Sequence, residues 1–222
     1  MTAQNYAYRE VATGSIRNRG HVERCPSLVA WDDVINGSAE AYTSAYLFSE
    51  ALVSFVATTG SVRGFDGPCR AEGLVFDLDG PSAFADCRRL VERLLQVDTG
   101  LHCDNVWIWF SGRKGFHVLA RSHALDGLPP SREVPGQMKQ IATALAGGLQ
   151  SFDTAIYDRL RLFRRANSRH PKSKLYKVPL TIDEVFTLNN AAVRVLARRP
   201  RSFSDAVAGC IAANLEEANV AA

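Results

Sequence analysis

Apolar residues recur at helical spacing in the longer stretches of this chain and alternate with polar ones in the shorter stretches, and the two periods predict its elements. Ser38 to Thr58, SAEAYTSAYLFSEALVSFVAT, has an N-cap candidate in Ser38, apolar residues at helical spacing and Gly60 beyond its end, which predicts a helix. Leu74 to Asp79 alternates and predicts a strand. Pro81 to Val97 opens with proline, carries FADCRRLVERLLQV at helical period and stops before Gly100, which predicts a second helix. Val106 to Phe110 and Phe116 to Ala120 predict two strands, and the SGRKG between them has two glycines that permit a tight turn, so the three pieces form a hairpin.

Beyond a proline-rich loop, LPPSREVPG, a helix is expected over Gln137 to Leu149, its end weakened by Gly147 and Gly148. Short strands are expected near Ala155 to Tyr157, Leu160 to Phe163 and Leu175 to Val178, then helices near Ile182 to Phe186 and Ser204 to Ala218. Strands and helices mix without regular β-α-β repetition, which indicates an α+β fold with a mostly antiparallel central sheet. There is no internal repeat, low-complexity segment or clear linker, so residues 1–222 read as one domain, with 1–72 and 73–222 as its sub-lobes.

At 222 residues, 46% hydrophobic and 22% charged, the chain is long enough to bury one sizeable core. No apolar run approaches the roughly 18 to 20 residues that span a bilayer. The start, MTAQNYAYRE, has neither a basic nor an apolar leader region, so a soluble cytoplasmic protein without a membrane partner is expected. Cys25, Cys69, Cys87, Cys103 and Cys210 are scattered and form no CxxC pair, which argues against a disulfide framework. HVERC and LHC are fragments that hint at zinc, but the paired ligand spacing is missing, so zinc is not expected. Net charge is only +3, yet four of the five lysines, Lys114, Lys172, Lys174 and Lys177, lie in two segments. Lysines serving solubility alone would be spread out.

Those segments carry the candidate chemistry. In FDLDG, alternate side chains of a strand share a face, so Asp77 and Asp79 point one way with Val75 while Leu74, Phe76 and Leu78 point the other. Two carboxylates this close raise each other's proton affinity unless a cation neutralises them. An oxygen-only pair suits Mg²⁺ or Mn²⁺. The same pair also reads as a solvated strand end before a DG turn. In SGRKGFH, Ser111, the amides around two glycines, Arg113, Lys114 and His117 offer a cradle for a phosphate chain, although an ordinary basic hairpin has the same composition. From Asp158 to Lys177 there are eight cations and one acid, Asp158 itself; a purely solvated face interleaves acids, so anion binding is favoured.

Together these segments, about residues 72 to 180, resemble the catalytic core of archaeo-eukaryotic primases and the related primase-polymerases. FDLDG looks like the family's first motif and SGRKGFH like its second. FDTAIYDRLRLFR looks like the third, which the resemblance assigns to Asp153 as a third metal carboxylate and to Arg161 and Arg164 on phosphate. The resemblance implies Ser111, Arg113, Lys114 and His117 on the nucleotide, and more loosely Ser168, His170, Lys172 and Lys174 in ANSRHPKSKLYKVPL. YREV is faintly similar to a family element with a phosphate-contacting arginine, here Arg9. The implied fold is an RRM-like catalytic sheet beside an N-terminal α/β lobe. The implied activity is template-dependent nucleotide transfer in bacterial, plasmid or phage replication. It would use two Mg²⁺ or Mn²⁺ ions, a single-stranded DNA template and NTP or dNTP, with a replicative helicase as a further partner. Two other readings stand beside it: a gap-filling polymerase of end joining, and a single-stranded DNA-binding initiation module without chemistry. Against the last, three acids in a basic cleft serve a simple binder nothing.

Overall fold

The computed structural model describes residues 5–25, 27, 40–96, 106–121, 125, 128–204 and 206. They form an α+β fold with two four-stranded antiparallel sheets. The first sheet has the order β2-β1-β3-β7, from β1 (Tyr8–Thr13), β2 (His21–Arg24), β3 (Ala41–Ser44) and β7 (Leu162–Arg164). Its last strand comes from the C-terminal half of the chain.

β3 corrects the sequence expectation, because the helix expected over 38–58 begins only at Glu50. Ala41–Ser44 is extended and pairs on both sides, Thr43 with Val11 and with Phe163. An aromatic and a β-branched residue, Tyr42 and Thr43, fit a pleated half-buried surface, and the two partner strands outweigh the helical spacing. Helix α1 (Glu50–Thr59) is capped by Ser49, whose hydroxyl accepts from the Ala51 amide, and ends on Gly60 in the left-handed region. Residues 38 and 39 lie outside the described residues.

The second sheet has the order β4-β6-β5-β8, from β4 (Leu74–Leu78), β5 (Val106–Phe110), β6 (Phe116–Ala120) and β8 (Val178–Leu180). Leu74, Phe76 and Leu78 are buried while Val75 and Asp77 are only partly so, as strand alternation requires. Helices α2 (Ala83–Gln96) and α3 (Val134–Ala146) cover that buried face; Leu90, Leu94, Met138 and Ala142 join one core with Phe76 and Leu78. α3 starts earlier than expected, since Pro135 suits a first helical turn.

Residues 151–153 then return along the free edge of β4. The Asp79 amide donates to the Ser151 carbonyl at 2.8 Å and the Asp153 amide to the Asp77 carbonyl at 2.9 Å, with Leu78 and Phe152 as bridge partners. Edge segment, β4, β6 and β5 thus lie side by side around a strand–helix–strand–strand–helix–strand order, the arrangement expected of an RRM-like sheet.

Further corrections fall in the C-terminal half. The strand expected at Ala155–Tyr157 is a 3₁₀ helix, Thr154–Tyr157, because the Asp153 carboxylate caps it through the Ala155 amide at 2.8 Å. The strands expected at 160–163 and 175–178 form two to three residues later, as β7 and β8. Helix α4 (Ile182–Thr187) carries a reciprocal capping box between Thr181 and Glu184, and α5 (Asn190–Leu196), not foreseen, is capped by Asn189. Nearly all of the helix expected over 204–218 lies outside the described residues.

Arg9 also departs from expectation. It is fully buried, donates to the carbonyls of Cys25, Ser44 and Ala45, and pairs with Glu72 at 2.6 Å. Arg121 pairs with the same carboxylate. Arg9 thereby fastens the first sheet to the segment entering β4, and its guanidinium faces no phosphate-accessible surface. Cys25, Cys69 and Cys87 are buried; Cys103 and Cys210 lie outside the described residues.

Candidate active site

A polar cavity of about 210 Å³ opens between the two sheets, at the C-terminal end of β4. β4 contributes Asp77 and the residue after it, Asp79. The hairpin turn contributes Ser111, Arg113 and Lys114, β6 contributes His117, and β7 with its approach contributes Arg161 and Arg164. Tyr42 of β3 and His170 close the wall. Three motifs far apart in sequence therefore meet in one place.

Local geometry explains why the turn reaches the acids. Gly112 has φ +91°, a conformation that side chains other than glycine rarely adopt. At Gly115 an added Cβ would sit 2.6 Å from the Leu78 carbonyl oxygen and 3.3 Å from Asp79 Oδ1. The two glycines let the hairpin press against the end of β4. The Ser111 hydroxyl accepts from the Gly115 amide at 3.1 Å, which holds the turn closed.

Each acid faces a base. Lys114 Nζ is 3.3 Å from Asp79 Oδ2, Arg161 is 3.9 Å from Asp153 Oδ2, and His117 Nε2 is 3.6 Å from Asp77 Oδ1. The last contact is no ion pair. Burial first, then Lys177 and Arg164, hold the His117 imidazole well below its usual range, so the ring is neutral. Burial, then the Asp153 and Asp79 carboxylates, push Asp77 up to about 7. Around Asp77, burial and the two neighbouring carboxylates outweigh Arg161 and Lys177.

That imbalance is what a divalent cation would relieve. Among the described residues no three His, Cys, Asp or Glu side chains are gathered into a ready-made cage. Mg²⁺ needs fewer, since it keeps water and substrate phosphate oxygens and takes one or two protein carboxylates. Asp77 with Asp79 or Asp153 fits that requirement.

The arginines and His170 are held by their surroundings. Arg164 donates to the Tyr42 hydroxyl at 2.8 Å and stacks on its ring at 4.7 Å. His170 Nδ1 accepts from the Lys172 and Ser173 amides at 3.1 and 3.4 Å, which leaves the ring hydrogen on Nε2. Burial, then Arg164, Arg113 and Lys172, push it down to about 4, so it offers a neutral N–H donor. Among the described residues His117 Nδ1 has no hydrogen-bond partner, and neither have Trp109 Nε1 and Thr43 Oγ1, which line the same small adjoining cavity.

Not every candidate reaches the cavity. The Ser168 hydroxyl is buried and donates to the Arg165 carbonyl at 2.7 Å, while Lys172 and Lys174 are exposed outside the rim. Asp158 is exposed and accepts from the Leu160 amide at 3.0 Å, a local turn contact. Tyr42 was missed because its segment has helical spacing; only its pairing with Arg164 in the β3–β7 register identifies it.

No model of a known protein family matches the chain, and no curated protein sequence matches it. Among solved structures, the polymerase domain of Mycobacterium tuberculosis ligase D in complex with DNA is similar with a TM-score of 0.45 and 14% identity, over 86% of this chain and 80% of that one. Likeness at that level leaves the site to be read from its own residues.

Proposed function

We propose that the chain is a template-dependent nucleotidyltransferase of the primase or primase-polymerase type, drawing on NTP or dNTP. The observation that carries this reading is the cavity in which Asp77 and Asp79 face Arg113, Lys114, Arg161 and Arg164 across about 210 Å³. A cleft that presents carboxylates to one side of a ligand and guanidinium and ammonium groups to the other suits a metal-chelated triphosphate. A ligand with phosphate alone would be repelled by the acids.

Arg113, Lys114, Arg161 and Arg164 would hold the phosphate chain, Arg164 being pre-oriented by Tyr42. His170 would donate its Nε2 hydrogen to a phosphate oxygen without adding charge. Asp77, Asp79 and Asp153 would hold Mg²⁺ or Mn²⁺; when bound, the ions would activate the attacking 3′-hydroxyl and offset charge building on the leaving pyrophosphate. Lys114, freed from Asp79, would turn to the phosphates.

The test is incorporation of labelled nucleotide with Mg²⁺ or Mn²⁺ on single-stranded DNA, beside a primed template and a gapped duplex. Products on the unprimed strand support priming. Products on the gapped duplex alone would favour gap filling, and strand binding without products would leave a binding module.

A further inference from the structure

Three exposed segments are tied together beside the cavity. Ser173 Oγ donates to the Gly112 carbonyl, joining the 169–176 loop to the hairpin turn. The Arg194 guanidinium, on α5, donates to the Arg113 carbonyl, joining the helix to the same turn. The Tyr176 amide donates to the Ala197 carbonyl at 2.8 Å, joining the loop to the end of α5. These bonds make one surface of the turn, the loop and the helix end.

That surface carries Arg113, Lys172, Lys174, Arg194, Arg198 and Arg199, all exposed. Among the described residues none of the six is paired with an acid. The neighbouring α4 has two acids, but Glu184 is taken by Arg201 at 2.8 Å, and α4 packs toward α2, where Arg88 holds its carbonyls. A solvated face normally interleaves the two signs. Cations after α5 also complement its C-terminal dipole, but that leaves Lys172 and Lys174, on a separate loop, without a reason. The field of this surface is felt inside, where Arg113 and Lys172 help keep His170 neutral.

Only Arg113 of the six lines the cavity. A triphosphate seated there therefore leaves the rest of the surface without a ligand, whereas a polymer with a repeating negative charge would cover it. We propose that this ridge, from Arg113 across Lys172 and Lys174 to Arg198 and Arg199, carries the phosphodiester backbone of the nucleic-acid strand that enters the cavity. The proposal rests on the nucleotidyl-transfer reading for its direction, and moves Lys172 and Lys174 from the nucleotide to the strand.

The test uses the full chain and a fluorescent single-stranded oligonucleotide, with affinity measured across a salt series. Arg198→Ala with Arg199→Ala removes two exposed cations whose side chains make no hydrogen bond or ion pair among the described residues, so folding should persist. Binding at fixed salt should weaken roughly tenfold, and the slope of log Kd against log salt should fall by about 1.4, since each phosphate contact on a single strand contributes about 0.7. Arg198→Lys with Arg199→Lys should keep the slope, and binding of Mg²⁺-triphosphate should not change in either variant. An unchanged slope in the alanine pair overturns the ridge, as does loss confined to binding of phosphatidylserine vesicles. The two readings fail separately: a wild type that incorporates nothing, with the slope still falling, refutes nucleotidyl transfer and keeps the ridge, while normal incorporation with an unchanged slope does the reverse.

Discussion

Asp77 and His117 are direct partners in the β4–β6 register, and Asp77 Oδ1 lies 3.6 Å from His117 Nε2. Their environments push in the same sense, toward neutrality: burial keeps the imidazole uncharged, while burial and two nearby carboxylates hold Asp77 up to about 7. The folded protein therefore binds a proton at Asp77 that the unfolded chain has released above about pH 4. Stability of the metal-free protein should fall as pH rises from about 4 through 7. Asp77→Asn should remove that fall, making the variant more stable than the wild type by on the order of 2 to 4 kcal/mol at pH 8 and no more stable at pH 4. Urea unfolding in EDTA across this range checks it, and parallel stability curves would refute the charge imbalance.

In the proposed site Mg²⁺ and the proton would compete for Asp77. Adding Mg²⁺ should raise the wild-type melting temperature at pH 8 more than at pH 5, and should do so far less in Asp77→Asn. Differential scanning fluorimetry reads this without any turnover.

Asp153 and Asp158 are separated by their contacts. Asp153 hydrogen-bonds the Asp77 backbone and lies against Arg161, whereas Asp158 serves a local turn. Asp153→Asn should lose at least about a hundredfold in nucleotide incorporation. Asp158→Asn should keep most of it, and the opposite order would mean that the wrong acid has been assigned.

Lys114 lines the cavity beside Asp79, where the proposed triphosphate would sit. Lys114→Ala should raise the KM for the nucleotide roughly tenfold to a hundredfold, the loss of one charge-assisted contact, while strand affinity changes little. Weakened strand binding with an unchanged KM would move this turn to the template.

Asp86 supports the site from behind. Its buried carboxylate accepts from the Ser151 amide at 2.9 Å and the Ser151 hydroxyl at 2.8 Å, which fixes the edge segment carrying Asp153. Burial alone would push its carboxyl up, but these bonds and Arg89 leave it below its usual value. Its contribution to stability is therefore present at neutral pH and lost as pH falls through the acid range. Asp86→Ala should cost about 1 to 3 kcal/mol by leaving a buried donor unpaired. The same variant should lower kcat in the folded fraction, which denaturation curves paired with kinetics will separate.

What was legible in the sequence was local. β4 and the two hairpin strands follow from alternation and from Gly112 and Gly115, features contained within a few residues. What was not legible depends on distant partners. Tyr42 is a strand residue because β1 and β7 flank it, and β7 lies about 120 residues further along the chain. The Thr154 turn is helical because one carboxylate caps it, and the same residue had been expected to precede a strand. Arg194 carries no signal of its own in the sequence, and only the packing of α5 brings it to the hairpin turn. Conversely, Ser168 had the right residue type for a phosphate contact, yet its backbone places the hydroxyl indoors.

The central claim is that the acids at the end of β4 support nucleotide transfer. Incorporation of labelled nucleotide on single-stranded DNA, with Mg²⁺ or Mn²⁺, should be compared between the wild type and the folded Asp77→Ala and Asp79→Ala variants. The account predicts metal-dependent extension by the wild type and a loss of at least about a hundredfold in each variant. Near-normal incorporation by both variants, or none by the wild type on any template, would contradict it.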